Sequence, residues 1–270
     1  MTDILNWSKI ENVTAKNAER LLFRNFNGAP VGYGTRDAAH SGGIIHDSLH
    51  GLCVVDPQPK KFFQDMFEIL GPRFEEFFVL GKPLDEIGEN EKLSLVVLQQ
   101  RVLNKLNGGK WDYAFAGHMA ILDEDLKLSY AELAAYEFLA KAFVREAAEE
   151  LDLELDIGKV FCAGYGPFSQ VFENYKGNPY VNFECAHAFI YFMRWAEAMH
   201  VWKKVSNKET DGEVAAIKFM VPHEYFKRTK ADEEAYFNAM KKGKKYDYQY
   251  VPRHPIIDLM KTKYYELVGR

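Results

Sequence analysis

Between Tyr136 and Leu151 the apolar positions Tyr136, Ala140, Phe143, Val144, Ala147 and Leu151 recur at steps of four, three, one, three and four. That spacing predicts a helix with one face laid on a core. Shorter apolar runs lie on either side of it. Residues 76–80 and 93–101 predict two strands joined as a hairpin across the polar stretch 81–91. Residues 111–116 predict a third strand, set off by the turn Asn107-Gly108-Gly109 and ending at Gly117. After Gly158 a strand is expected over 159–162, ending before Gly164. Residues 183–192 predict another, although 189–200 reads equally as the start of a helix. Residues 213–221 predict a strand stopped by Pro222, and helices are expected over 231–242 and 256–267. The first 70 or so residues mix short amphipathic pieces with a Gly/His-rich loop at 38–46, and predict an extension with small helices of its own.

Composition narrows the class. A chain of 270 residues with 47% hydrophobic and 27% charged positions can bury a sizeable core, which excludes a mostly disordered chain. A net charge of -5 does not suit a protein that grips duplex nucleic acid through many phosphates. Locally the balance reverses: Lys227, Arg228, Lys230, Lys241, Lys242, Lys244 and Lys245 lie close to Tyr246, Tyr248 and Tyr250. They form either a solvated basic face or a patch for an anionic substrate. The cysteines Cys53, Cys162 and Cys185 are odd in number and lack CxxC spacing, so neither a disulfide framework nor a zinc ribbon is indicated. No apolar run approaches the ~20 residues of a membrane span, and Met1 to Trp7 does not resemble a signal peptide. A cytoplasmic protein with no membrane association is expected.

The chemistry concentrates on the predicted helix. Glu146, Glu149 and Glu150 project within an arc of about 100° beside its apolar stripe. Like charges at these spacings repel, and an isolated Glu-x-x-Glu-Glu is most often a solvated acidic face. A divalent cation with a taste for oxygen, such as Mg²⁺, would compensate them. The wider pattern is Glu137, seven residues, Arg145-Glu146, two residues, Glu149-Glu150. It resembles the box of the Nudix hydrolase superfamily, with Asp152 where the family has a glycine and Ala131 at the opening glycine. Gly117-His118 resembles the Gly-His that opens the box in many relatives. Gly117 lies 20 residues before Glu137 rather than 6, so about 14 residues, 119–132, form an insertion. Over about residues 74 to 225 the segments Leu98-Gln99-Gln100-Arg101, Trp111-Asp112, Ala116-Gly117-His118 and Asp211-Gly212-Glu213-Val214 resemble, in order, the branch related to isopentenyl-diphosphate isomerase. The isomerases' cysteine near the Gly-His has no counterpart in 113–119, which disfavours isomerase chemistry.

This resemblance implies an α/β (α+β) fold: a Nudix-type α/β/α sandwich around a mixed central sheet, with an N-terminal extension (1–72), a Nudix domain (73–226) and a C-terminal helical tail packed on the core (227–270). It implies Mg²⁺-dependent hydrolysis of a diphosphate linkage in a nucleoside diphosphate derivative, with Mn²⁺ as a substitute ion. Glu146, Glu149, Glu150 and the Gly117 carbonyl are the expected metal ligands. Glu149, Glu150, Arg145 and Glu213 are the expected catalytic groups, with Glu184 an alternative base, and Arg101 and His118 are expected to contact substrate. The partner is a nucleotide-type small molecule; capped RNA and a homodimer are compatible with the same reading. The rival reading is a catalytically silent Nudix fold that binds nucleotide or RNA as a regulatory module. His46 and His50, four residues apart, would share a metal if helical, but in a glycine-rich context they read as an incidental pair.

Overall fold

The computed structural model describes residues 20–104, 107–175, 178–208, 214–253 and 255–269. Its first elements are the antiparallel pair β1 (Arg20–Arg24) and β2 (Pro30–Thr35), the short helix α1 (Arg36–Gly42) and the long strand β3 (Ile45–Pro59). Helices α2 (Lys60–Leu70) and α3 (Phe74–Phe77) lead to strands β4 (Phe78–Val79), β5 (Lys92–Arg101), β6 (Trp111–Tyr113) and β7 (Phe115–His118). The single turn α4 (Tyr130–Leu133) precedes α5 (Tyr136–Leu151). Strands β8 (Val160–Tyr175) and β9 (Asn178–Met193), helix α6 (Trp195–Ser206), strand β10 (Val214–Met220) and helices α7 (Pro222–Lys241) and α8 (Ile256–Leu267) follow.

The ten strands form one sheet along the path β2-β1-β3-β5-β10-β4, with β7 and β9 also on β3, β6 on β5 and β8 on β9. Among the described strands, β3/β9 and β4/β10 are the parallel pairs, and a single parallel bridge joins Trp111 to Tyr250. Strand alternation divides β3 and β9 between two cores. On one face Leu49, Cys53, Phe189 and Tyr191 pack with Phe63 of α2, Phe143 and Ala147 of α5 and Val201 of α6. On the other, Leu52, Val54, Ala188 and Ile190 pack with Tyr225 and Phe226 of α7 and Ile256 and Met260 of α8. The fold is therefore mixed α+β: helices cover both faces of a large, mostly antiparallel sheet, the three-layer plan expected from the sequence.

Several elements differ from expectation for identifiable reasons. Residues 20–59, expected in a separate extension, supply β1, β2 and the strand to which four others pair. The expected boundary at 72/73 falls between α2 and α3, whose Phe63 and Phe74 share one aromatic cluster around Phe78. The boundary at 226/227 falls inside α7. Phe78 and Val79 pair in parallel with β10 and not with β5 as a hairpin. The strand from Val160 does not stop at Gly164. A bulge between Cys162 and Gly164 absorbs the glycine's φ of +124°, and the ladder runs on to Tyr175. Of the two readings of 183–200, both apply in succession, with β9 ending at Met193 and α6 starting at Trp195.

Candidate active site and metal centre

Helix α5 runs unbroken from Tyr136 to Leu151, as its apolar stripe predicts, and crosses β7 and β3. Phe143 anchors it between Phe115 and Phe189, at ring distances of 4.7 Å each, over Gly51. One turn further along, Glu146 is 7% exposed and its carboxylate lies against Gly117. A Cβ on Gly117 would stand 2.0 Å from Glu146 Oε2 and 2.8 Å from its Cδ. Any side chain there would displace the Glu146 carboxylate from its seat, so the glycine of the Gly-His pair and the first carboxylate of the helix are in direct contact. Glu150 is half-buried and Glu149 lies on the solvent side, its side chain 64% exposed. Arg145 donates from Nη2 to the Ala120 carbonyl at 2.5 Å and stands 4.0 Å from both Asp125 and Glu149. It thereby ties the 119–132 insertion down to the helix.

The helix ends where Asp152 adopts φ 51°, ψ 42°, a left-handed conformation that costs an ordinary residue energy and glycine little. Asp152 is held by Lys204 at 2.7 Å and His200 at 3.5 Å.

The opposite face of the same strands holds a second group. His46 pairs with Glu184 across β3 and β9, His118 pairs with Ser48, and α1 places His40 over them. The ligating atoms of His40, His46 and His118 lie within 4.8 Å of one another. The Nδ1 of His46 meets the Ile44 carbonyl at 2.9 Å and that of His40 meets the Val181 carbonyl at 3.3 Å. A carbonyl oxygen accepts only, so both Nδ1 atoms carry the proton and both Nε2 atoms present lone pairs, the tautomer a metal-binding imidazole needs. His40 Nε2 lies 3.2 Å from His118 Nε2 and 3.0 Å from the Tyr180 hydroxyl. His46 Nε2 is buried with no hydrogen-bond partner among the described residues, and so is Asn182 Oδ1. Burial, then the neighbouring His46, pushes the His40 pKa down to about 4; burial also lowers His46, and His118 well below the ordinary value.

Beside this triad Glu184 accepts from Ser48 at 2.7 Å and Asn182 at 2.5 Å and lies 3.2 Å from His50 Nε2. Burial alone would raise its pKa, but His50, His118 and Arg253 outweigh burial and hold it well below the carboxylate range. His50 Nδ1 meets the Tyr113 hydroxyl, and Arg253, paired with Asp112 at 2.6 Å, stacks over Tyr113.

A third cluster returns to the α5 face. Asp47 is fully buried and takes both oxygens to Arg24, through Nε to Oδ1 and through Nη2 to Oδ2 at 2.8 Å; His187 Nε2 reaches Oδ1 at 3.1 Å. Cys185 lies close by, its thiol pushed up to about 11 by burial and by Asp47.

Of the sequence-predicted residues, Gly117 and Glu146 are brought into contact and Glu150 shares their helix. His118 faces the other side of the sheet, and so does Glu184, which strand alternation separates from Glu146. Arg101 sits at the turn end of the β5–β6 ladder beside Gly109 and Lys110, with its Nε buried and unpartnered among the described residues. Glu213 lies outside the described residues. His46 and His50 share one face of a strand, and it is His40 and His118, not His50, that complete a triad with His46. The sequence reasoning missed His40, although it lies in the Gly/His-rich stretch already singled out. It also missed Asp47 and Arg24.

The ion implied by the family resemblance is a hard divalent cation. Mg²⁺ is commonly held by one or two carboxylates while keeping waters and substrate phosphates as its other ligands, so the Glu146 carboxylate against Gly117 suits it, although among the described residues the ligand atoms of Glu146, Glu149 and Glu150 are not brought together as a group. The triad has a different donor set. Three neutral imidazoles with a carboxylate alongside suit Zn²⁺ or another borderline first-row ion.

No family model matches this chain, and no curated protein matches it. Among solved structures the chain is similar to DR0079 from Deinococcus radiodurans, with 16% identity over 79% of this chain and 90% of that one and a TM-score of 0.35. It is also similar to RenU, a Nudix hydrolase from M. smegmatis, with 11% identity over 92% of this chain and 94% of that one and a TM-score of 0.33. Both likenesses are remote. Among the described residues no helix is long and apolar enough to cross a membrane.

Proposed function

We propose that the protein is a divalent-metal-dependent hydrolase that cuts the diphosphate linkage of a nucleoside diphosphate derivative. The observation that carries this reading is the seating of the Glu146 carboxylate against Gly117, which a Cβ at that position would displace. It supports the reading in which 119–132 interrupts a box whose two parts are Gly117-His118 and the carboxylates of α5. Glu146 and Glu150 would hold Mg²⁺, with the Gly117 carbonyl and Glu149 as further oxygen donors. Bound there, the ion supplies charge stabilisation to the phosphoryl oxygens and acidifies the attacking water. The protein's own part is positional: α5 fixes the carboxylates, and Arg145 fixes the loop that follows Gly117. The test is a screen of nucleotide sugars, dinucleotides, nucleoside triphosphates and capped RNA with Mg²⁺, comparing the wild type with Glu146→Gln and Glu149→Gln. Loss of hydrolysis in Glu146→Gln supports the reading; equal hydrolysis by all three proteins, or none by any, sinks it.

A second reading is favoured by the orphaned His46 Nε2. In it the reaction centre is a borderline metal on His40, His46 and His118 with Glu184 beside it, on the opposite face of the sheet. Metal content separates the two readings. If the protein as isolated holds one equivalent of Zn²⁺ or Mn²⁺ that His46→Ala loses and Glu146→Gln keeps, and His46→Ala also loses turnover, the centre is on the histidine face.

A further inference from the structure

The geometry points to His187, oriented by Asp47 and Arg24, as the group that takes the proton from the attacking water. This rests on the hydrolase reading centred on Glu146. The water oxygen forms a bond to one phosphorus, the bond from that phosphorus to the bridging oxygen breaks, the leaving phosphate keeps the electron pair, and the proton moves to His187 Nδ1.

Four observations lead there. First, the registers place Gly117, Leu49, His187 and Tyr165 in one row across β7, β3, β9 and β8, all on the face that α5 covers. Adjacent strands lie about 4.8 Å apart, so His187 stands two strands from Gly117, roughly 10 Å backbone to backbone. Second, the row passes from fully buried Leu49 through His187 to Tyr165, which is 70% exposed. His187 thus sits at the rim of the core, on the face of the sheet that α5 covers. Third, Asp47 has no solvent contact and its orientation is set by two bonds from Arg24. Its Oδ1 accepts from His187 Nε2, which commits that nitrogen to carrying the hydrogen and leaves the lone pair on Nδ1. This is the arrangement in which a buried aspartate selects the tautomer of a catalytic histidine. Fourth, His187 Nδ1 makes no hydrogen bond among the described residues.

The competing uses of this cluster are weaker. A metal on Asp47, Cys185 and His187 would have to share Asp47 with a guanidinium already bonded to both oxygens. Glu184, the expected downstream alternative, faces the other side of the sheet. The charged and titratable groups facing His187 are Asp47 on β3, Arg24 on β1, Cys185 on β9 and Tyr165 on β8; Glu146 lies over Gly117, two strands away in the same row.

The decisive variant is His187→Gln, whose amide can still donate to Asp47 but cannot accept a proton near neutral pH. A proton acceptor predicts a kcat loss of about 10²- to 10⁴-fold, KM changed little, and loss of the acidic limb of the pH–rate profile. A structural role predicts wild-type kcat and an unchanged profile. Should His187→Gln not fold, the wild type answers instead. Carbethoxylation traced to His187 by peptide mass must abolish turnover, and methylenediphosphonate with Mg²⁺ must protect against it; full activity with His187 modified overturns the inference. Hydrolysis lost in Glu146→Gln but kept in His187→Gln overturns this inference alone. No hydrolysis by the wild type overturns the hydrolase reading and this inference with it.

Discussion

Gly117→Ala tests the contact on which the site is built. The glycine is not among the residues with positive φ, so alanine adopts its backbone without strain, and the cost arises from one encounter: a Cβ 2.0 Å from Glu146 Oε2. The strand cannot retreat, because β7 is paired to β3 on both sides of this position. The carboxylate must therefore leave its seat, carrying a mostly buried acid to a new rotamer over a packed core. Overpacking of this kind costs about 1–3 kcal/mol. The cost should belong to the pair and not to the glycine. In a Glu146→Ala background the space is vacant, and Gly117→Ala should become neutral or slightly stabilising, since alanine loses less backbone entropy than glycine. A double-mutant cycle by urea denaturation reads the difference as a coupling energy of about 1–3 kcal/mol, against an additivity error of ~0.5 kcal/mol. If Gly117→Ala costs the same with and without Glu146, the seating of the carboxylate is not what the glycine serves.

Other predictions follow from the same geometry. Asp152→Gly relieves a left-handed residue, worth about 1 kcal/mol, and gives up solvent-screened ion pairs, so the urea midpoint should stay level or rise, and a marked fall would refute the account of that helix end. Arg24→Ala strands a buried carboxylate and should cost about 3–5 kcal/mol, measured by the same denaturation, with Asp47→Asn in the Arg24→Ala background recovering part of it. The triad gives stability a pH dependence of known sign. His40 is held neutral with its pKa down at about 4 against 6.5 unperturbed, so the unfolded chain takes up more protons than the folded one. Stability then falls as pH drops from 6.5 towards 4, by up to ~1.4 kcal/mol per pH unit for each such group. His46 and His118 are lowered in the same direction and add to this slope. A urea midpoint that stays flat between neutral and acidic pH would refute it. Zn²⁺ on the triad would keep the folded imidazoles unprotonated, so with the ion present the same slope should persist or steepen and stability at neutral pH should rise if the triad binds it.

The elements most legible in the sequence are those whose burial is apolar and periodic. Helices α5 and α8 have the bounds their stripes predict, and β5 and β10 fall within a residue of theirs. Strand β3 was not legible, because His46, Asp47, Ser48 and His50 are polar and yet buried. Asp47, Ser48 and His50 are satisfied by partners remote in sequence, Arg24, Glu184 and Tyr113, that no local window contains, and His46 Nε2 has no partner among the described residues. The candidate site divided along the same line. Glu146 and Gly117 carried a motif, whereas the Asp47–His187 pair is joined only by the register of β3 on β9.

That register makes residues 46–50 an unusually unforgiving place to change the length of the chain. Side chains on β3 alternate between the histidine face and the carboxylate-helix face, so deleting one residue there would send every histidine through the sheet to the other side and bring Asp47 among the imidazoles. The 119–132 segment, by contrast, sits between β7 and α5 as loop and short turns. A deletion scan should find these two segments at opposite extremes of tolerance, although both border the same glycine and carboxylate.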